Sequence, residues 1–175
     1  MSGRQILETE RLLIREFYET DAAAFFRLGS DPNIIRYTGD PGGGLTNVEQ
    51  ALDVLRSRPM TDYAKYGYGR WACICKEDGK LIGFSGLKYL DDLREVDLGY
   101  RFLPEYWGRG LATESGRAVV DYGFTHLALD HIIGLVVPDH RASCRVLEKL
   151  GFRFAEVINY RGEDVARYLL RTTKM

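Results

Sequence analysis

The sequence predicts a single domain, residues 1–175, of the mixed α+β class, with a mostly antiparallel sheet of six to seven strands and about four helices. Its 175 residues suit one domain, and 45% apolar with 28% charged residues is the composition of a folded globule. Strand-like runs at 70–76, 80–90 and 95–103 are separated by short turns, which predicts antiparallel neighbours. A helical stretch at 110–126 leads from strand 95–103 to strand 131–137, which predicts one parallel pair.

The N-terminal third is predicted to begin with a strand and a helix. Segment 11–17, RLLIREF, alternates partly between polar and apolar residues, as a strand does. Thr20-Asp21 is typical of a helix start and predicts a helix over 22–28. Gly29-Ser30-Asp31-Pro32 then ends that helix.

A second helix and two loops are predicted next. Thr46 and Glu49 fit a capping box, which predicts a helix over 47–57. Asp40 to Gly44 is expected to form a flexible loop because it contains one proline and three glycines. Segment 58–70, rich in tyrosine and glycine, is expected to form another loop.

The C-terminal third is predicted to contain one more helix and a final hairpin. The helix covers 141–150 and ends at Gly151, a residue that favours the left-handed backbone found after helices. Strands over 152–160 and 163–172 follow, joined by a turn at Arg161-Gly162.

Composition excludes several function classes. Lys plus Arg number 24 and Asp plus Glu number 25, so the net charge of −1 argues against a nucleic-acid partner. Apolar runs stay below the roughly 18 residues that span a bilayer, and the N-terminus lacks the apolar stretch of a secretion signal, so we expect no membrane association. Cys73, Cys75 and Cys144 are too few and wrongly spaced for a disulfide framework or a zinc site, which favours a cytoplasmic protein without a metal.

The turn before the helix at 110–126 has the chemistry of an anion site. Gly108 and Gly110 let the backbone approach a ligand closely, and the first N–H groups of a helix have no partner within it. Arg109 adds donors suited to phosphate. The same residues also fit a tight turn with glycine for packing. A dinucleotide fingerprint is incomplete, since Thr113 stands where its third glycine belongs.

Three motifs in order resemble the GCN5-related N-acetyltransferases (GNAT). The stretch 107–114, WGRGLATE, is similar to their acyl-CoA signature, with Trp107 in place of the usual Gln or Arg. The stretch 138–152, PDHRASCRVLEKLGF, resembles their second motif. The opening 9–15, TERLLIR, resembles the RimJ/RimL-like branch, which acetylates the N-termini of ribosomal proteins. The resemblance extends from about residue 8 to 172 and implies the GNAT fold.

The resemblance implies acetyl-CoA as the cosubstrate and no metal. The diphosphate would lie on the backbone N–H groups of Arg109 to Thr113. The pantetheine arm would add to strand 95–103 where it splays from strand 131–137, and a bulge at Gly99 is expected to create that splay; the alternative for Gly99 is simple packing. The implied cofactor-binding residues are Phe102, Leu103, Trp107, Gly108, Arg109, Gly110, Leu111, Ala112, Thr113 and His140.

Asp97 is the candidate general base. It lies between Val96 and Leu98 on a predicted central strand, where an unpaired charge is costly and therefore has a task or a partner. In the resemblance it takes the place of a glutamate, and its shorter side chain would act through a water. The alternative is an ion pair with an arginine such as Arg70 or Arg101. Glu95, nearer the strand start, is expected to be solvated.

The leaving thiolate would rely on Ser143. The resemblance places the Ser143 hydroxyl at the position that stabilises the thiolate in this branch. The alternative is that Ser143 is an ordinary polar residue in the first turn of a helix. Leu147 stands where many relatives have a tyrosine acid, so that acid is missing. His140 stands where relatives commonly have an asparagine beside pantetheine, so the resemblance implies a contact with the cofactor. The alternatives are that His140 is a second candidate base or an ordinary surface histidine. Cys144 is expected to be buried packing.

The predicted activity is transfer of an acetyl group to a primary amine, most favourably a protein N-terminal α-amine. An α-amine has a pKa of about 7.7–8.0 and a lysine one of about 10.4, so the α-amine is deprotonated at lower cost. A small-molecule amine (antibiotic, polyamine or amino acid) and a non-catalytic acyl-CoA-binding sensor are the alternatives. The chain is expected to be a monomer or homodimer. The expected acceptor-lining residues are Tyr63, Tyr66, Tyr68 and Trp71.

Overall fold

A computed structural model describes residues 4–38 and 43–173 of the chain. Within these ranges, eight strands form one sheet in the order β1-β2-β3-β4-β5-β6-β8-β7. The strands are β1 (Gln5–Glu8), β2 (Leu12–Arg15), β3 (Arg70–Cys75), β4 (Leu81–Leu90), β5 (Glu95–Phe102), β6 (His131–Val136), β7 (Arg153–Tyr160) and β8 (Glu163–Arg171). The helices are α1 (Ala22–Ser30), α2 (Pro32–Ile35), α3 (Val48–Ser57), α4 (Pro59–Tyr66), α5 (Leu111–Thr125) and α6 (Arg141–Lys149).

The predicted fold class is confirmed: neighbouring strands are antiparallel except β5 and β6, which are parallel. The sheet has eight strands rather than six to seven. The strand that the sequence did not indicate is β1, four half-exposed residues that pair with β2. So short a segment carries no clear alternation of its own, and its pairing with β2 defines it.

The segment predicted as a loop at 58–70 contains helix α4. Pro59 occupies its first turn and Gly67 follows it with a left-handed φ of 80°, both ordinary signals of helix ends. The helix expected over 47–57 is confirmed as α3, but its cap is Asn47, whose side chain accepts from the Gln50 N–H at 2.8 Å. Residues 40–42 of the expected loop at 40–44 lie outside the described ranges.

Two apolar cores cover the two faces of the sheet. On one face, α5 packs against β3 to β6, and the fully buried Trp71, Ile82 and Ile132 belong to this larger core. On the other face, α1 and α3 pack through Phe25 and Leu55 onto the sheet. Among the described helices, none is long and apolar enough to cross a membrane.

Strands β5 and β6 meet at the centre of the sheet and then part. Their register in the described chain is a single Cα pair, Asp97 with Ile133. The prediction of a bulge at Gly99 is wrong. Strands β4 and β5 pair without interruption, from Gly83 opposite Phe102 to Leu90 opposite Glu95. The glycine instead makes room for Arg70, since a Cβ on Gly99 would lie 2.4 Å from the Arg70 guanidinium. Packing is therefore the observed reason for this glycine.

We expect Gly99→Ala to destabilise the protein by about 1–3 kcal/mol, the usual cost of overpacking. The new methyl group would push the Arg70 guanidinium from its place over β5. Urea unfolding of the variant and the parent protein measures the difference. Equal unfolding midpoints would contradict the assigned role of Gly99.

Candidate functional site

The start of α5 leaves backbone donors facing open space. Gly108 and Gly110 have left-handed φ values of 73° and 78°, and the first helical hydrogen bond runs from Glu114 N–H to the Gly110 carbonyl at 3.0 Å. Among the described residues no side chain caps this helix start. A Cβ at Gly108 would meet nothing within 4 Å. The N–H groups of Leu111 to Thr113 thus receive no hydrogen bond from a capping side chain, which keeps the predicted anion site at this turn a prediction.

Glu114 ties this turn to the N-terminal segment. Its carboxylate accepts from the Thr9 hydroxyl at 2.7 Å, the Arg11 N–H at 2.9 Å and Arg11 Nε at 2.7 Å. Burial raises the pKa of Glu114, but these three donors outweigh it and hold the pKa below its ordinary value. Two of the three motifs that carry the family resemblance therefore meet at one carboxylate.

A groove of about 570 Å³ runs beside the first turns of α5. Its lining includes Gly110 and Thr113 and two cations, Arg117 and Lys149. The sequence analysis missed both cations. The helical spacing of Thr113 and Arg117, four residues apart, places them on one face of α5 and was available as a signal.

Arg109 and Trp107 lie next to the turn rather than on its donors. The Arg109 guanidinium lies over the Tyr106 ring, 5.3 Å from its centroid. Trp107 is half exposed, and its Nε1 donates to the Phe102 carbonyl at 2.7 Å.

The end of β5 offers Phe102 rather than Leu103 as a backbone partner. Leu103 N–H donates to the Ile82 carbonyl at 2.9 Å, and its carbonyl accepts from Tyr106 N–H at 2.9 Å. Since backbone groups alternate in direction along a strand, those of Phe102 face away from β4, towards the space between β5 and β6. The expected pantetheine contact at Leu103 does not fit this arrangement.

Asp97 is buried where β5 and β6 part. One oxygen accepts from Arg70 Nη2 at 2.6 Å and the other from Leu135 N–H at 3.1 Å. Arg70 also donates to the carbonyls of Gly86 and Asp97. Burial raises the pKa of Asp97, and the Arg70 charge opposes that rise without cancelling it. The ion pair that the sequence analysis gave as an alternative is present.

Glu95 is paired rather than solvated, which corrects the expectation. Its oxygens contact His131 Nε2 and Arg167 Nη2, the latter at 2.6 Å. Burial raises the pKa of Glu95, but His131 and Arg167 outweigh it and lower the pKa overall. The residue was misjudged because Arg167 lies 72 positions away in the sequence.

Ser143 lies in the first turn of α6 and contacts a residue the sequence analysis did not select. The Tyr100 hydroxyl lies 2.8 Å from Ser143 Oγ and 3.1 Å from the Ser143 carbonyl. Cys144 is half-buried against the larger core. Tyr100 sits on β5 three residues after Asp97, and no local pattern reveals that it reaches α6.

His140 lies in the segment between β6 and α6, directly before the first residue of α6. Its ring stacks on Tyr37 with centroids 4.2 Å apart, so the segment after α2 covers this end of the site. Burial lowers the pKa of His140, and the nearby Arg36 charge lowers it further. The histidine is therefore neutral at pH 7.

The four predicted acceptor-lining residues separate into two groups. Trp71 is fully buried with its ring against Tyr122, and the Tyr63 hydroxyl bonds to the backbone of Arg70 and Phe17. Trp71 belongs to the larger core, and the part-buried Tyr63 packs against it. Tyr66 and Tyr68 are half exposed and share an aromatic cluster with Tyr89.

The chain matches known proteins along most of its length. Residues 11–153 match the acetyltransferase (GNAT) domain family. The chain is 36% identical over 149 residues to the uncharacterized N-acetyltransferase YoaA of Bacillus subtilis, which covers 85% of this chain and 82% of that protein. The family resemblance seen in the sequence motifs is confirmed.

Solved structures agree in fold. An acetyltransferase from Agrobacterium tumefaciens aligns with a TM-score of 0.82 at 25% identity, over 98% of this chain and 96% of that one. RimL, a ribosomal L7/L12 alpha-N-protein acetyltransferase in complex with coenzyme A, aligns with a TM-score of 0.81 at 16% identity, over 96% of this chain and 98% of that one.

We expect Glu114→Ala to lower the free energy of unfolding by about 1–3 kcal/mol, because the donors of Thr9 and Arg11 lose a charged acceptor. Because the pKa of Glu114 is lowered in the fold, this difference is present at neutral pH and shrinks as the pH falls below about 4.5 through the folded pKa. Urea unfolding at several pH values measures it.

The matched control is Glu49→Ala, which removes an exposed glutamate from the first turn of α3. We expect this control to change stability by no more than about 0.5 kcal/mol. Equal losses in the two variants would show that Glu114 acts merely as a first-turn acid.

Proposed function

The chain belongs to the acetyltransferase (GNAT) family, whose members use acetyl-CoA, and we propose that it acetylates the α-amine of a protein N-terminus. The observation that carries the cosubstrate is the uncapped start of α5, where Gly108 and Gly110 leave three amides facing open space. Coenzyme A has a diphosphate that suits these donors. RimL, which shares the fold, is named for this type of acceptor.

The proposed cofactor path follows the parting of β5 and β6. The diphosphate would lie on the amides of Leu111 to Thr113. The lining of the adjacent groove holds two cations, Arg117 and Lys149, and two carboxylates, Glu114 and Asp121. The pantetheine arm would run along the side of β5 that faces away from β4, past the Phe102 N–H, towards His140; the Phe102 carbonyl there already accepts from Trp107 Nε1. The thioester would then lie in the opening between Asp97 and Ser143.

The acceptor class is supported by the limited access of an amine to the available carboxylates. Asp97 is buried with both oxygens already accepting bonds, and Glu95 is held by His131 and Arg167. At pH 7, deprotonating an α-amine costs about 1–1.4 kcal/mol and deprotonating a lysine about 4.6 kcal/mol. A carboxylate that reaches the amine through a water suits the acceptor that needs less deprotonation.

The reaction we propose is direct transfer. The neutral amine attacks the thioester carbon, the new C–N bond forms, and the C–S bond breaks with its electron pair passing to sulfur. The amine proton passes through a water to Asp97. Burial raises the pKa of Asp97, which strengthens it as an acceptor. Ser143 donates a hydrogen bond to the departing thiolate.

A thiol-release assay with acetyl-CoA and a panel of acceptors tests this function. The panel contains peptides with free and blocked α-amines, lysine side-chain amines, a polyamine and an aminoglycoside. We expect release with free α-amine peptides and at least tenfold less with the blocked ones. Preference for the polyamine or aminoglycoside would overturn the acceptor, and coenzyme A binding without turnover would favour the sensor.

We expect Asp97→Asn to reduce kcat by about 10²-fold or more, the usual contribution of a general base. The matched control is Glu95→Gln on the same strand and face, for which we expect a change below about threefold. Acetyl-CoA affinity and thermal melting of both variants separate catalysis from folding, since Asp97→Asn also weakens the Arg70 ion pair. A folded, acetyl-CoA-binding Asp97→Asn with normal kcat would contradict the role of base.

A further inference from the structure

The position that carries a tyrosine acid in many relatives is filled by an apolar side chain. Leu147 is 2% exposed and packs over Gly134, where a Cβ would meet Leu147 at 2.8 Å. This side chain offers no donor to a departing thiolate. A donor for the sulfur must come from another element of the site.

Tyr100 lies on β5 and places its phenol against α6, the helix that carries Leu147. It lies on β5 beyond Asp97, after the single pair that joins β5 to β6. Its hydroxyl reaches Ser143 at the start of α6, at 2.8 Å from Oγ and 3.1 Å from the carbonyl. This contact therefore spans the opening in which the thioester is proposed to lie.

The phenol is a neutral donor throughout the working pH range. Burial raises the pKa of Tyr100, and the hydrogen bond between Tyr100 and Ser143 opposes that rise without cancelling it. A hydroxyl has one hydrogen to donate and two lone pairs to accept. The Tyr100 hydrogen has two acceptors within reach, Ser143 Oγ and the Ser143 carbonyl, and the contact with Oγ can run in either direction. The inference requires the arrangement in which Tyr100 donates to Ser143 Oγ, because the hydrogen of Ser143 is then free to point elsewhere. Without that donor, a serine hydroxyl in a first helical turn tends to turn towards nearby backbone carbonyls.

We propose that Tyr100 is a positioning residue that holds Ser143 Oγ and leaves its hydrogen aimed at the sulfur of coenzyme A. This inference rests on the proposed function, which puts the thiolate beside Ser143. No proton leaves Tyr100: the C–S electron pair passes to sulfur, Ser143 donates a hydrogen bond to it, and water later protonates the thiolate.

The test uses the thiol of bound coenzyme A, so it does not depend on the acceptor. Ultraviolet absorbance of the thiolate is followed against pH for the full-length protein saturated with coenzyme A. We expect the thiol pKa to lie below about 8.5 in the parent protein and to rise by about one unit in Tyr100→Phe, the scale of a hydrogen bond to a charged group. Tyr160→Phe, which removes a phenol bonded to Asp92 rather than to Ser143, is the matched control and should leave the thiol pKa unchanged.

A double-mutant cycle separates positioning from support of α6. We expect Ser143→Ala to raise the thiol pKa, and Tyr100→Phe to add nothing further in the Ser143→Ala background. With an active acceptor, Tyr100→Phe should lower kcat about tenfold and leave KM for acetyl-CoA within about twofold. Thermal melting of each variant accompanies these measurements.

Three results would overturn the inference. Tyr100→Phe could leave the thiol pKa unchanged while Ser143→Ala raises it. The two substitutions could act additively, which would assign Tyr100 a structural role in holding α6. Ser143→Ala could leave the thiol pKa unchanged, which removes the serine from the sulfur. Absence of turnover with every amine would count against the proposed function alone, because the thiol titration still reports on Tyr100.

Discussion

The buried bridge from Arg70 through Asp97 to the Leu135 N–H governs the architecture of the site. Parallel strands normally continue their ladder, and parting them leaves backbone groups in need of partners. Here the Asp97 carboxylate takes the Leu135 N–H that β5 no longer reaches. Arg70 balances the buried charge, which would otherwise cost several kcal/mol. This bridge lies at the one Cα pair that joins β5 to β6, the point from which the two strands part.

A second constraint fixes the other end of the opening. The turn at Gly108 and Gly110 has no side-chain cap of its own, and Glu114 anchors it by binding Thr9 and Arg11 of the N-terminal segment. A carboxylate in the first turn of a helix also suits the helix dipole. The glycine turn thus depends on a contact between segments more than 100 residues apart in sequence.

Features that depend on local sequence signals could be predicted, whereas features that depend on contacts between distant parts of the chain could not. The fold class, the crossover around α5 and its glycine turn follow from periodicity and spacing, and they were predicted correctly. Gly99, Glu95 and Trp71 were misassigned, because their surroundings come from Arg70, Arg167 and Tyr122, which lie far away in the chain. The helix at Pro59–Tyr66 was not predicted, because the tyrosine and glycine content of segment 58–70 is typical of a loop. The signals of its two ends, a proline in the first turn and a glycine after the last, are nevertheless present in the sequence.

Strand periodicity separates the two halves of the proposed reaction. Asp97 and Tyr100 are three residues apart, so their side chains point to opposite faces of β5. Asp97 shares its face with Arg70, whereas Tyr100 joins the α5 core and reaches Ser143. An amine approaching from the Asp97 face would expel the thiolate towards the Tyr100 face, with the thioester lying in the opening between them. Because one strand carries both Asp97 and Tyr100, the backbone of β5 sets the distance between the proposed proton acceptor and the residue that holds Ser143, the proposed donor to the thiolate.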